Sequence, residues 1–136
     1  MLNHLQLLGL ALAGAAGTLS RYGLGLMIDS RWLFDGHSKI YGTFVANSLG
    51  CMLFGLAFAW FNARMLDDHP LRILVLVGFM GSFTTFSAFA HLTTDLAFRN
   101  YWWAAGGHIL LHVIVGIGLF LLGSYLGGMI SRGLAA

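Results

Sequence analysis

The sequence predicts an all-α integral membrane protein of four transmembrane helices, the third broken near its middle, assembled as an antiparallel dual-topology homodimer. Three observations carry that reading. Of 136 residues, 58% are hydrophobic and 9% charged, against roughly a quarter charged in an average soluble domain. Four apolar runs reach the ~20 residues that a bilayer core demands. The cations that flank those runs divide evenly between the two sides of the membrane, which leaves orientation undecided.

The runs cover 5–28, 40–61, 71–97 and 102–129, so residues 1–136 form one transmembrane domain with no room for a soluble one. The opening Met1-Leu2-Asn3-His4 has no cationic region of the kind a cleavable signal carries, and the first run is expected to remain as a span. Trp32, Trp60, Trp102 and Trp103 fall at the ends of runs, where amphipathic rings favour the headgroup region. The third run would extend ~40 Å as a continuous helix, beyond the ~30 Å hydrocarbon thickness, so it can tilt or break and still cross.

Arg64, Arg72 and Arg132 lie on the side shared by the N-terminus, the second connector and the C-terminus; Arg31, Lys39 and Arg99 lie on the other. Equal counts give the insertion machinery nothing to choose by, and copies are expected to enter both ways up. Small residues recur every fourth position at Gly9, Ala13 and Gly17, at Gly42, Ala46 and Gly50, and at Gly123 and Gly127. Such rows let helix backbones approach closely in lipid, without specifying a partner.

Against this apolar background the polar groups inside the runs are few. The densest patch is Gly81-Ser82-Phe83-Thr84-Thr85-Phe86-Ser87-Ala88-Phe89, where hydroxyls and phenyl rings alternate. Unpartnered polar groups in hydrocarbon cost several kcal/mol each, so this patch must face protein, water or an ion. Gly78 and Gly81 weaken the helix, and a break there would release carbonyls toward a cation and amides toward an anion. Phe86 and Phe89 share a helix face beside the hydroxyls of Thr85 and Ser87, and ring edges carry partial positive charge. Asn47, mid-run, offers two amide donors either to an anion or to a neighbouring carbonyl. Arg21 either snorkels to the nearer interface or stands beside an ion path.

Three segments together resemble the Fluc family of bacterial fluoride channels, also called CrcB. They are Gly14 to Tyr22 around Arg21, Gly42 to Gly50 around Asn47, and Gly78 to Phe89 with its Thr84-Thr85-Phe86-Ser87 centre. The resemblance spans nearly the whole chain. It implies an antiparallel homodimer with two fluoride pores in the bacterial cytoplasmic (inner) membrane. Phe86 and Phe89 match the paired phenylalanines of the pore, Asn47 its amide donor, and Ser87 and Thr85 polar positions beside the rings. Gly81 and Thr84 match positions whose backbone carbonyls hold a structural sodium ion at the dimer centre. Arg21 matches the family's arginine in the first helix. Ala13 and Ser82 stand where the family usually has Gly, Ala88 where Thr is common, and His108 and His112 where a Tyr and a small polar residue are expected.

Passive fluoride export that protects the cytoplasm is the function this resemblance implies. Fluoride is small and tightly hydrated, and even a carboxylate-sized ion costs of order 20 kcal/mol to dehydrate by the Born estimate. Amide, hydroxyl and ring-edge donors would replace that water, and an inside-negative potential would drive the anion outward.

Other classes leave fainter marks. A small dual-topology proton-coupled exporter would want an intramembrane carboxylate; Glu is absent and Asp95 is the single candidate. A membrane haem or metal protein would use His108 and His112, one helical turn apart. Cys51, the single cysteine, reads as packing. A net charge of +2 with no basic stretch excludes a nucleic-acid surface, and no nucleophile with an adjacent base marks an enzyme.

Overall fold

The computed structural model describes residues 3–29, 38–66 and 69–133. Arg31 and Trp32 lie outside them. Every element among the described residues is helical: α1 (His4–Asp29), α2 (Ser38–Ala63), α3 (Pro70–Arg72), a π-helical segment (Ile73–Met80), α4 (Gly81–Phe83), α5 (Phe86–Phe98) and α6 (Trp102–Gly133). Three stretches are long and apolar enough to cross a membrane, namely Ile40–Ala63, Pro70–Phe98 and Trp102–Gly133. Helix α1 matches α2 in length at 26 residues, but Gln6, Thr18, Ser20 and Arg21 dilute its apolar character and it falls outside that group.

The small-residue rows bring these helices together within one chain. On α1, Gly17 lies so close to Phe79 that a Cβ there would overlap the Phe79 carbonyl, and a Cβ on Gly78 would press on Ala13. Helix α2 meets α6 in the same way, Gly55 facing the Phe120 carbonyl, Gly123 that of Met52 and Gly127 that of Leu56. In the middle row Ala46 is 1% exposed and Gly50 abuts Thr84. Close backbone approach maximises dispersion contact, which drives association where the solvent is itself apolar. Large side chains such as Leu12, Leu19, Val77, Ile114 and Leu121 point outward accordingly.

Two helix ends are closed by the same device. After α2, Leu66 N–H donates to the Phe61 carbonyl (3.1 Å) and Met65 takes φ 53°. After α5, Tyr101 N–H donates to the Leu96 carbonyl (2.9 Å) and Asn100 takes φ 63°. Both are Schellman closures, which favour Gly and next Asn at the left-handed position. The third span opens on Pro70 at the first helical position, with His69 Nδ1 accepting from Leu71 N–H at 3.2 Å.

That span is broken near its middle, three residues beyond the glycines that the sequence pointed to. Gly78 lies inside the π-helical segment, and Gly81 begins α4. The chain leaves helical geometry at Thr84 (φ −91°, ψ 155°) and Thr85 (φ −147°, ψ 114°). The threonines supply both ends of the interruption. Thr84 bonds back to the Met80 carbonyl through its N–H (3.1 Å) and its Oγ1 (3.0 Å). Thr85 caps α5, its Oγ1 accepting from Ala88 N–H at 3.2 Å. A hydroxyl at the cap position satisfies one orphan donor of the new helix, and glycine flexibility alone supplies no such partner.

Candidate functional site at the helix break

A break inside a span places the carbonyl end of one helix beside the amide end of the next. Here α4 ends and α5 begins across Thr84–Thr85, so partial negative charge gathers on one side and partial positive charge on the other. Two side chains from distant helices hold the junction. Asn47 on α2 takes Thr85 N–H on its Oδ1 (2.8 Å) and donates from Nδ2 to the Thr85 carbonyl (3.1 Å). Arg21 on α1 donates from Nε to the Ser82 carbonyl at 3.4 Å. That bond ties the Arg21 side chain to the third span on the carbonyl side of the break. Asn47 acts as interhelical glue with one amide hydrogen, and its amide carries a second.

A cavity of about 490 Å³ opens on this junction, bordered by Asn47, Thr84, Thr85, Phe86 and Phe89. Five of the residues expected at a site therefore converge on one space. Ser87 is not among the residues that border it; its Oγ lies 3.1 Å from Thr85 Oγ1. Phe86 and Phe89 stand 5.5 Å apart at 47° between ring planes. Phe89 is held from behind, whereas Phe86 is 80% exposed. Arg21 and Gly81 do not border this space; both lie at the carbonyl side of the break.

An unbroken helix would pass Thr85 N–H to the Gly81 carbonyl, but Asn47 has taken it. Thr84, in extended geometry, turns its own carbonyl out of the helical ladder. Backbone oxygens released in this way suit a hard cation such as sodium.

Six of the lining residues, among them Gly50, Cys51 and His112, were not expected at the site. Gly50 and Cys51 come from α2, and His112 enters from α6. The His112 ring is 4.6 Å from that of Phe89 and meets Phe44 edge-on at 5.1 Å. His108 stacks on Phe89 at 5.3 Å and lies 4.3 Å from His112. Their spacing put the two histidines on one face, but which face met Phe89 depended on how α6 crosses its neighbours. No group of three or more His, Cys, Asp or Glu side chains converges among the described residues. Asp95, the exporter candidate, is half-exposed and paired with Arg99 at 3.0 Å.

Three apolar spans, one interrupted by a capped break that bears phenyl rings, an amide and opposed helix ends, define a multi-pass helical membrane protein. A family model described as "CrcB-like protein, Camphor Resistance (CrcB)" matches residues 8–124, and the chain belongs to that family. A protein of Nitrosococcus oceani named fluoride-specific ion channel FluC is 41% identical over 118 residues, covering 87% of this chain and 92% of that one. Relatives of the same name from Chloroflexus aurantiacus (36% over 130 residues; 90% of this chain and 98% of that one) and Dehalococcoides mccartyi (34% over 128 residues; 93% and 95%) are similar along most of their length.

Proposed function

We propose that this chain forms a fluoride-selective channel through which F⁻ leaves the cell passively across the cytoplasmic membrane. The observation that carries the reading is the convergence of Asn47, Thr85, Phe86 and Phe89 on one cavity at the amide end of α5. An anion entering there meets helix-terminal amides, an amide side chain and phenyl edges, and each replaces a water that fluoride gives up. Chloride is larger and holds its water less tightly, so a narrow set of hard donors favours fluoride.

Two copies in antiparallel orientation complete the path, with α1 crossing beside the other three spans. Phe86, Ser87 and Gly81 are exposed at the break of the single chain. A polar interruption at mid-membrane requires cover from protein or water; a second copy supplies it, and the even division of flanking cations supports both orientations. The carbonyls of Gly81 and Thr84 would hold sodium at the centre of such a dimer, where its positive charge steadies the carbonyl ends. A proton-coupled exporter is less well supported, because Asp95 is tied to Arg99 near the end of α5.

Fluoride efflux from proteoliposomes tests this reading. Fluoride is expected to leave at least ten times faster than chloride under the same gradient, a selectivity worth about 1.4 kcal/mol or more. Equal rates for the two halides would remove the reading. Crosslinking of single cysteines placed at opposite ends of α6 tests the antiparallel pair.

A further inference from the structure

The site does not end at Phe89. His112 borders the cavity of about 490 Å³ at the break, and His108 borders a second one of about 450 Å³ that runs past Tyr41, Leu96 and Tyr101 to the end of α5. The two imidazoles, 4.3 Å apart and perpendicular within 20°, stand between the two spaces. Their tautomers follow from their partners. Thr93 Oγ1 donates its one hydrogen to the Phe89 carbonyl (2.8 Å), so at 2.8 Å from His108 Nδ1 it can only accept, and Nδ1 carries the hydrogen. His112 Nδ1 faces the His108 carbonyl at 3.0 Å, which likewise can only accept. Both neutral rings therefore leave Nε2 as a bare lone pair. Both Nε2 atoms are buried without a hydrogen-bond partner, and His108 as a residue is 6% exposed.

A buried lone pair that meets no donor leaves an interaction unmade, and it repels an anion. Protonation reverses both effects, because Nε2 then becomes a charged donor, the strongest kind available to a small hard anion. We propose that His108 and His112 form a proton-conditional fluoride site between the two cavities: one proton taken up by the pair converts a bare Nε2 into an N–H donor, and fluoride binds there. The proposal rests on the fluoride-channel reading and adds a regulation that depends on two residues of this chain. Proton and fluoride enter as a neutral pair, so the site gains no net charge in its low-dielectric surroundings. A second proton is opposed by the first across 4.3 Å.

The groups that surround the pair come from three parts of the chain. Helix α2 brings Tyr41 to the His108 side and Cys51 to the His112 side; α5 brings Thr93 and Phe89; the turn after α5 brings Tyr101. Among the described residues no carboxylate or Lys or Arg borders either cavity, and Asp95 is engaged by Arg99. Linkage then fixes the sign. Acid raises fluoride affinity, and fluoride raises the proton affinity of the pair by the same factor.

Fluoride current through the full-length protein in planar bilayers tests this, since neutral hydrogen fluoride carries no current. One proton enters with each fluoride, so the half-saturating fluoride concentration is expected to fall by up to about tenfold per unit of acidification between about pH 7.5 and about pH 5.5. In the double variant H108Q/H112Q, whatever current remains loses that response. A fluoride current with the same half-saturation at both pH values overturns the histidine site and leaves the channel standing; absence of fluoride current at either pH removes the channel and the site with it. Nitrogen-15 spectra of histidine-labelled wild-type protein provide a second readout that needs no variant. Fluoride, and not chloride, is expected to move the His108 or His112 signals toward imidazolium at constant pH, and signals unmoved by saturating fluoride overturn the proposal.

Discussion

Asn47 grips Thr85 by both its N–H and its carbonyl, at 2.8 and 3.1 Å, across 38 residues of sequence. The pairing imitates one rung of a β-ladder inside a helical protein, and it meets the backbone needs of the residue that the break leaves outside the helix. Replacing Asn47 with Ala leaves both groups of Thr85 without that partner, at about 1–3 kcal/mol for each bond unmade. The expected outcome is a clear loss of thermal stability in detergent together with loss of fluoride efflux. Asn47→Asp keeps the acceptor for Thr85 N–H but sets a carboxylate against the Thr85 carbonyl; it is expected to retain more stability than Asn47→Ala while blocking fluoride by charge. Equal stability of wild type and both variants would show that the clamp contributes nothing to the fold.

Gly50 sets how near α2 comes to the break. A Cβ at this position would overlap Thr84 Cγ2 and come within 3.2 Å of Phe83 Cδ1. Gly50→Ala is therefore expected to push Thr84 aside and destabilise the protein by about 1–3 kcal/mol, as overpacking does. Thr84→Ser removes the methyl group in the way and retains the hydroxyl that reaches the Met80 carbonyl. The double variant should recover part of the stability, and additive losses in the two variants would refute the contact.

Met65 and Asn100 occupy the same left-handed position after their helices, at φ 53° and φ 63°. The left-handed conformation costs an ordinary residue roughly 1–2 kcal/mol, and Asn less. Met65 is among the most exposed side chains and loses little packing on removal. Met65→Gly is thus expected to raise thermal stability by about 1 kcal/mol, and Asn100→Gly by clearly less. A thermal scan of the two variants side by side checks the ranking.

The positions of the long helices were legible because a bilayer imposes a length and an apolar composition that few other environments share. The expected run 102–129 became Trp102–Gly133, and 40–61 became Ser38–Ala63. The break was legible as a feature of the third run but displaced in position. Gly78 and Gly81 advertise local weakness, yet the chain opens where Thr85 can cap α5 and Asn47 can hold Thr85. The π-helical segment had no local signature; it lies where Gly17 and Gly78 bring α1 and the third span together. Arg21 was ambiguous for the same reason, since only the packing of α1 on the third span decides whether its guanidinium reaches Ser82 or the interface. Of the residues at the cavity, Asn47, Thr84, Thr85, Phe86 and Phe89 were expected there, whereas Gly50, within the segment around Asn47, was read only as part of a small-residue row. His112 was visible as a ring at helical spacing from His108 and as a departure from the residue type that the resemblance implied.

Phe86 and Phe89 form a pair by ring geometry, but their surroundings predict opposite mutational signatures. Phe89 touches His108, His112 and Phe86, with centroids at 5.3, 4.6 and 5.5 Å. Truncating it removes those ring contacts together and leaves a void beside the Thr93 bond to His108, for which about 3–5 kcal/mol is the usual cost of Phe→Ala in a packed position. Phe86 is 80% exposed, and its ring contact within the chain is to Phe89. Phe86→Ala should therefore change the stability of the single chain by about 0.5 kcal/mol or less. Fluoride efflux should fall in both variants, through lost stability for Phe89→Ala and through lost ring edges at the cavity for Phe86→Ala. Thermal scans and efflux measured on the same preparations separate the two. Full fluoride efflux in a stable Phe86→Ala protein would exclude that ring from the path.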